Sequence, residues 1–190
     1  QAIRARIDQE QARTRQDAAV KAVRLWNQAS TNVDQDHPYL ARKGGLPPLG
    51  LRQLWGCLVL PVLGPENAFR GLQFIDPDGS KRFLSGTHKQ GGHFLIQPRN
   101  LRETAPAVVL LAEGWATACS LHLATGHPAC IAFDAGNLPP VAQALRNQYP
   151  AACLVICADD DPKGTHYARQ AATLTGGKIA LPQWSRTDET

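Results

Sequence analysis

The sequence contains no methionine, no long apolar run and no CxxC pair of cysteines. No apolar run approaches the roughly 20 residues of a membrane-spanning helix, and the N-terminus is polar. We therefore expect no membrane span, no signal peptide and no membrane partner. A chain that lacks methionine and begins at Gln1 is most simply a fragment of a longer protein.

Cysteine is present, but in an odd number and without a pairing framework. Four of the five cysteines lie within apolar segments, which predicts reduced, buried thiols and a cytoplasmic protein. Cys153 and Cys157 have a spacing that would suit metal ligands on a helix. They fall on a predicted strand, however, so a zinc site there is disfavoured.

The composition is that of an ordinary globular protein. Hydrophobic residues make up 43% of the 190 residues and charged residues 19%, which excludes wholesale disorder and allows one domain or one domain plus a smaller one. The net charge of +4 permits an anionic partner without requiring one.

The first 50 residues predict a helix and a linker. Gly and Pro are absent from residues 1–30, and Ala19, Val23 and Trp26 keep a helical spacing with Ala22 and Ala29. Six basic residues lie between Arg4 and Arg24, and they fit either a nucleic-acid contact or a solvated helix face. The segment that follows, HPYLARKGG and then two prolines, predicts a short helical turn and an extended linker.

Residues 51–105 predict a β-rich, basic subdomain. Apolar and alternating runs surround Asp76-Pro77-Asp78-Gly79, a strong hairpin signal, and HFLIQ predicts a further strand. The polar side chains here are mostly basic, and Arg70, Lys81 and Arg82 are the candidates for binding phosphates. The alternative is that they are ordinary exposed hairpin charges.

Residues 106–190 change to strands that alternate with helices. The predicted strands are 108–112, 129–134, 153–158 and 178–182, and the predicted helices are 115–125, 139–147 and 164–175. This order predicts an α/β fold, Rossmann-like, with a mostly parallel sheet flanked by helices.

Two apolar strands in this part end in acidic residues, namely Glu113 and the Asp159-Asp160-Asp161 run. Such residues meet at the carboxyl edge of a parallel sheet, where they repel one another unless a cation neutralises them. Magnesium suits a few carboxylate oxygens and bridges to phosphates. The alternative for Asp161 is a helix N-cap followed by Pro162, and both roles are compatible.

Three elements together resemble a known family. Glu113-Gly114, Asp134-Ala135-Gly136-Asn137 and the stretch Asp159-Asp160-Asp161-Pro162-Lys163-Gly164 resemble the signature of the toprim domain, shared by bacterial-type primases, topoisomerases and certain nucleases. The upstream stretches HPYLARKG and RGLQFIDPDGSKRFLSG resemble the catalytic core of plasmid- and phage-type DNA primases. A zinc-binding module of the kind that precedes such cores is not found in this sequence.

The resemblance implies a role for each candidate. Glu113 becomes a metal-linked acid/base, Asp159 and Asp161 become ligands of Mg²⁺ or Mn²⁺, and Asp160 becomes a secondary ligand. Asn137 falls where such primases place a polar residue near the nucleotide. Arg70, Lys81 and Arg82 are assigned to the template or the triphosphate from their charge and location more than from a motif. Lys163 would either bind the triphosphate or balance the charge of the acidic turn.

The leading hypothesis is a DNA primase core, a nucleotidyltransferase that joins ribonucleoside triphosphates into short RNA on single-stranded DNA. A helicase domain or protein is an expected partner. The alternatives are a toprim nuclease that uses the same acids and a non-catalytic nucleic-acid-binding module. The basic β-rich subdomain favours the primase, since a polymerising site must hold a triphosphate and a template together.

Overall fold

The computed structural model describes residues 2–97 and 105–182, which form two β-sheets and five α-helices. The first sheet is antiparallel and contains β1 (Arg52–Leu54), β2 (Cys57–Leu63), β3 (Phe69–Ile75) and β4 (Lys81–Phe83), in that order. The second contains β5 (Phe94–Ile96), β6 (Val108–Ala112), β7 (Ala129–Ile131), β8 (Cys153–Cys157) and β9 (Lys178–Ala180). The helices are α1 (Ala2–Gln28), α2 (Pro38–Arg42), α3 (Trp115–Thr125), α4 (Leu138–Gln148) and α5 (Pro162–Thr175).

The second sheet confirms the predicted α/β class. Its strand order is β5-β7-β6-β8-β9, with β6, β7, β8 and β9 parallel and β5 antiparallel at one edge. Apolar residues alternate along the strands and bury both faces. Val109, Leu111 and Ile156 pack with α4 and α5, while Leu110 and Ala112 pack on the other side with Trp115 of α3.

Helix α1 covers one face of the first sheet. Ala18, Ala22 and Leu25 are buried, and Ala22 and Leu25 form a cluster with Leu72 and Phe74 of β3. The helix was predicted correctly, and of the residues with the expected spacing Ala22 and Ala29 are buried, whereas Ala19 is only partly buried and Val23 is exposed. The absence of Gly and Pro predicts a helix. Alanines lie on more than one face of this helix, however, so the sequence does not decide which face is buried.

The other face of the first sheet shares a core with the second sheet. Leu58, Leu60 and Ile75 belong to the same buried cluster as Ile131 and Trp115. In addition β5, which the sequence assigns to the β-rich subdomain, pairs with β7 in the second sheet. The domain division at residue 105 stays a prediction, but the two units are joined by a continuous hydrophobic core. The connector 98–107 falls largely outside the described residues, as does the end of the third predicted domain after residue 182.

The linker that follows α1 is fixed by specific contacts. The Nδ1 atom of His37 accepts a hydrogen bond from the Tyr39 N–H (3.2 Å), and its Nε2 atom lies 3.0 Å from the Gly56 carbonyl oxygen. The indole N–H of Trp115 donates to the Leu49 carbonyl (2.9 Å). His37 therefore has a structural task, and the linker is anchored to α3.

Within the described ranges, every helix is too short or too polar to cross a bilayer. The five cysteines are free thiols; Cys153 is partly buried and the other four are buried. Cys153 and Cys157 lie on β8, as the sequence predicts.

The shared core gives a stability prediction with a matched control. Trp115→Phe removes the indole N–H that donates to the half-buried Leu49 carbonyl and opens a small cavity, so we expect a loss of about 1–3 kcal/mol. Trp55→Phe alters a residue that is 70% exposed and should cost less than about 0.5 kcal/mol. Urea unfolding followed by circular dichroism at 222 nm measures both, and equal losses would contradict a core centred on Trp115.

Candidate active site

Parallel pairing brings three carboxylates to one edge of the second sheet. Ala112, the last residue of β6, pairs with Ile131 of β7 on one side and with Cys157 of β8 on the other. Because the strands end level, Glu113 lies between the segment that carries Asp134 and the segment that carries Asp159. We refer to these three residues as the acidic edge.

The electrostatics of Glu113 reflect this crowding. Burial raises the pKa of the Glu113 carboxyl, and the neighbouring Asp159 and, more weakly, Asp134 raise it further. Two lysines, Lys163 and Lys81, act in the opposite direction. The group is thus partly buried among like charges, an arrangement that favours the neutral acid or an external cation.

The turn after β8 presents the predicted aspartates. Asp159, Asp160 and Asp161 are all exposed, and Asp161 is also the N-cap of α5, where its Oδ1 accepts a hydrogen bond from the Gly164 N–H (2.6 Å). Pro162 then occupies the first helical turn. The prediction that Asp161 is a helix N-cap is therefore confirmed. The other carboxylate oxygen of Asp161 takes no part in the cap.

Gly164 allows this turn to close. A Cβ atom at this position would lie 2.8 Å from the Asp159 carbonyl oxygen, nearer than a real side chain approaches backbone. Gly114 is different, because a Cβ atom there would lie 3.5 Å from the Lys81 ammonium, an ordinary contact.

Strand β4 delivers Lys81 to the acidic edge. Lys81 pairs with Ile75 and projects on the side of the shared core, and its ammonium lies beside Gly114. Burial by the surrounding protein lowers its pKa even though the residue keeps solvent access, while Glu113 and Asp159 oppose that change. A second lysine, Lys43, is close enough to lower it further.

Asp134 and Lys89 lie at this edge but were not among the site residues predicted from the sequence. Asp134 caps the short 3₁₀-helix Ala135–Asn137 by accepting from the Asn137 N–H (3.0 Å), and its Oδ2 lies 4.0 Å from the Lys89 ammonium. Lys89 also lies over the ring of Phe83, at 5.0 Å from its centroid. The acid at the end of IAFD was a usable signal for Asp134, whereas Lys89 reaches the edge only through the tertiary fold.

Asn137 lies behind this edge. It is only 4% exposed, and its amide accepts from the Gly91 N–H (2.8 Å) and donates to the carbonyls of Gly92 (2.9 Å) and Ala132 (2.7 Å). These bonds tie the loop that contains Lys89 to the end of β7. Contact of Asn137 with a nucleotide stays a prediction, and its observed bonds position the loop.

Arg82 and Arg70 are placed away from the acidic edge. Arg82 lies over the ring of Phe74 at 4.6 Å and pairs with Asp76 at 3.4 Å, so it braces the hairpin on the side of α1. Arg70 donates to the Gln90 carbonyl (2.8 Å) and lies near Arg15 of α1. Lys81 and Lys163 are therefore the predicted phosphate-binding residues whose charges reach Glu113.

The acidic edge has the donor chemistry of a hard cation, but its side chains do not enclose one. Within residues 2–97 and 105–182, no group of three or more His, Cys, Asp or Glu side chains is arranged closely enough to hold a metal ion. The exposed aspartates and the free oxygen of Asp161 are oxygen ligands of the type that Mg²⁺ takes, and repulsion at Glu113 would be relieved by a cation.

Comparison with known proteins agrees with this arrangement. Residues 108–180 match the family described as Toprim domain. Two proteins of Escherichia coli named DNA primase TraC are 30% and 32% identical over 91% and 83% of this chain. The chain spans only 17% and 12% of the length of those relatives.

A solved structure shares the fold. It is described as bacteriophage T7 lagging-strand DNA polymerase interacting with primase domains of two gp4 subunits bound to an RNA/DNA hybrid and dTTP. The matched chain superposes with a TM-score of 0.50 at 14% identity, covering 73% of this chain and 71% of that one. At this identity the likeness concerns the fold alone.

The two glycines of the site give a matched pair of substitutions. Gly164→Ala should destabilise the protein by about 1–3 kcal/mol. The added methyl group overpacks the turn, and this steric cost exceeds the free energy gained from the higher helix propensity of alanine. Gly114→Ala should change stability by less than about 1 kcal/mol. Urea midpoints of both variants check this, and a neutral Gly164→Ala would contradict the tight turn.

The raised pKa of Glu113 gives a pH-dependent prediction. A carboxyl whose folded pKa lies above its unfolded value loses stabilisation as pH rises from the unfolded value, about 4.3, through the folded one. The neutral variant Glu113→Gln escapes this loss, so it should unfold at higher urea concentration than the wild type at pH 7–8.

The difference should become small near pH 4, where Glu113 is mostly protonated in both states. Urea titrations between pH 4 and pH 8 measure it, and Glu10→Gln on the exposed side of α1 is the control. A variant less stable than the wild type at pH 8 would show that Glu113 is not repelled.

Proposed function

We propose, from the premise that residues 108–180 are a toprim domain and that the chain is homologous to the TraC DNA primases, that it is the catalytic core of a DNA primase. It would join ribonucleoside triphosphates into a short RNA on single-stranded DNA and release pyrophosphate. Since the chain spans a small part of those relatives, this activity is a proposal for the present residues.

The observation that supports a polymerising site best is the position of Lys81. A basic hairpin from the first sheet places its ammonium beside Gly114, within electrostatic reach of Glu113 and Asp159. A site that transfers a nucleotide must bind a polyphosphate next to its carboxylates, and lysine binds phosphate as a compact point charge. The two sheets thus contribute complementary charges to one edge.

The carboxylates would hold Mg²⁺ or Mn²⁺, with Glu113, Asp159 and Asp161 as ligands and Asp160 as a secondary one. The ions would neutralise the phosphates and favour in-line displacement at phosphorus. Lys81 and Lys163 would orient the triphosphate. Lys89, which lies close to Asp134, would keep its own loop at the acidic edge. Asn137 would act by fixing the loop that carries Lys89.

Glu113 suits the proton transfer. The 3′-hydroxyl oxygen of the growing RNA would attack the α-phosphorus, the bond to pyrophosphate would break, and the hydroxyl proton would pass to the Glu113 carboxylate. Without a bound cation, burial and Asp159 raise the pKa of this carboxyl above that of an exposed glutamate, which makes it a stronger base. Arg82 would contribute indirectly, since its contact with Asp76 braces the hairpin that carries Lys81.

The proposed partners are single-stranded DNA, ribonucleoside triphosphates and a helicase domain or protein. A cytoplasmic location fits both the free thiols and the proposed nucleotide substrates. A toprim nuclease would use the same acids against a phosphodiester, and it is the second outcome that the following assay distinguishes.

The assay supplies single-stranded DNA, labelled ribonucleotides and Mg²⁺ or Mn²⁺. We expect oligoribonucleotide synthesis by the wild type and a loss of on the order of a hundredfold or more in Glu113→Ala and Asp159→Asn. Glu66→Gln, an exposed change in the loop between β2 and β3, should retain activity. Strand cleavage without synthesis would replace the primase by the nuclease, and neither activity would support a binding module.

A second readout needs no turnover. If the acidic edge binds the cation, Mn²⁺ should raise the thermal midpoint of the wild type, because a ligand of the folded state alone stabilises it. The Asp159→Asn variant should respond less, and the Glu66→Gln variant should respond like the wild type.

A further inference from the structure

A cavity of about 580 Å³ lies beside β5, at the outer edge of the second sheet. Residues of β5, of the turn between β2 and β3, and of the end of α4 line it. Its volume is within the range of small-molecule sites. No Asp, Glu, Lys or Arg is among the described residues that line it, so the cavity suits an uncharged group rather than a phosphate or a metal ion.

The cavity is separate from the acidic edge. Strand β5 runs antiparallel to β7, and Ile96 near its end pairs with Ala129, the first residue of β7. The strand therefore leads away from the carboxylates, which follow the last residues of the parallel strands. Tyr149 on the opposite wall also lies at the amino end of the sheet, because its carbonyl accepts a hydrogen bond from the Ala152 N–H just before β8 (3.1 Å).

The edge of β5 supplies the cavity with one donor and one acceptor. The N–H and the C=O of His93 both bond to Leu63 of β2 (2.9 Å each). Because backbone groups of successive residues point to opposite edges of a strand, those of Leu95 point to the same outer side as those of His93. Among the described strands none pairs with β5 on that side. Leu95 therefore presents a free N–H and a free C=O at the wall of the cavity.

His93 adds a second acceptor. Its Nδ1 lies 3.1 Å from the Gly91 carbonyl oxygen, which can only accept, so Nδ1 carries the hydrogen and Nε2 has a lone pair. Burial lowers the pKa of His93 by more than its bond to Gly91 raises it, and Arg70 lowers it further, so the ring is neutral near pH 7. Every buried side-chain nitrogen in the described part of the chain has a partner, and the unpaired Nε2 is therefore accessible.

The opposite wall supplies a second donor and a constrained rim. The hydroxyl oxygen of Tyr149 accepts from the side-chain amide of Gln148 (3.0 Å), so the hydroxyl hydrogen can be donated elsewhere. At the rim, Glu66 and Asn67 adopt φ of 56° and 60°, a region that favours glycine, and Asn67 lines the cavity. Backbone strain of this kind is characteristic of ligand sites.

An extended peptide fits this edge poorly. Leu63 already occupies the position at His93, and β5 ends at Ile96, so an added strand would gain little more than the backbone groups of Leu95. A compact planar heterocycle can use the same donor and acceptor at once. Adenine carries an amino donor next to a ring-nitrogen acceptor, which complements a backbone C=O and N–H.

We propose that this cavity binds the adenine base of a nucleoside or nucleotide, with the Leu95 N–H donating to a ring nitrogen and the Leu95 C=O accepting from the 6-amino group. His93 Nε2 accepts a further hydrogen of the ligand, and the Tyr149 hydroxyl donates to another ring nitrogen. Any phosphates of the ligand stay in solvent, since the lining carries no cation. The inference does not rest on the proposed function, because it concerns a different site.

Calorimetric titration with adenosine, without metal or nucleoside triphosphate, tests the site. We expect a Kd on the order of 0.1 mM, the affinity typical of a ligand of this size. Purine riboside, which is adenosine without the 6-amino group, should bind about tenfold more weakly because the Leu95 carbonyl loses its partner. Absence of binding at millimolar adenosine would overturn the site, as would equal affinities for the two nucleosides.

Variants locate the binding within the molecule. His93→Asn retains a side-chain N–H for the Gly91 carbonyl but removes Nε2, so it should weaken adenosine binding by on the order of tenfold. His122→Asn is the matched control, because the Nδ1 of His122 likewise lies 2.7 Å from a carbonyl oxygen, and it should bind like the wild type. Tyr149→Phe removes only the hydroxyl and should weaken binding by about threefold to tenfold.

Wild-type affinity in both His93→Asn and Tyr149→Phe would contradict the assignment to this cavity. Asp159→Asn at the acidic edge should bind adenosine like the wild type. A loss of adenosine binding in Asp159→Asn would place the nucleoside at the acidic edge and overturn the second site. Because these titrations measure binding alone, they stand whether or not the protein synthesises primers.

Discussion

The central position of β6, parallel to a neighbour on each side, is the constraint on which the site depends. Strands that run in one direction end at one edge, and the level pairing of Ala112 with Ile131 and Cys157 aligns the three segments that follow. Burial at this edge raises the pKa of Glu113 most, and the acids placed after the neighbouring strands, Asp159 more than Asp134, raise it further. Electrostatic strain at the edge is thus a consequence of sheet topology.

The shared hydrophobic core fixes the position of the first sheet relative to this edge. It holds one face of the first sheet against the α/β unit, and the edge-to-face contact between Phe83 and Phe133 (5.9 Å) fixes β4 next to the end of β7. Phe133 adopts φ of 72°, a value that side chains other than glycine seldom take, and packing supplies the compensation. Apolar contacts therefore decide which lysines face the carboxylates.

The local sequence pattern predicted the helices, strands and caps well. The pairing of distant strands and the placement of the basic side chains were decided by tertiary contacts. Helix α3 was predicted with its observed bounds, and Asp161 with its capping role, because strand runs, prolines and glycines act within a few residues. The partner of β5 and the separation of Arg70 from Lys81 depend on residues far apart in sequence. Charge alone grouped Arg70, Lys81 and Arg82, whereas strand alternation sends Lys81 and Arg82 to opposite faces of the hairpin.

Capping and function coincide in the acidic residues. Asp134 and Asp161 each spend one oxygen on a helical N-terminus, which fixes the carboxylate and leaves the other oxygen for a cation or a lysine. A carboxylate held in this way loses little conformational entropy when it binds, in contrast to an unconstrained surface aspartate. Asp160 has no hydrogen bond of this kind in the described part of the chain, so it would have to be ordered at the moment of binding. This difference in preorganisation is a physical reason to rank Asp161 above Asp160 as a ligand.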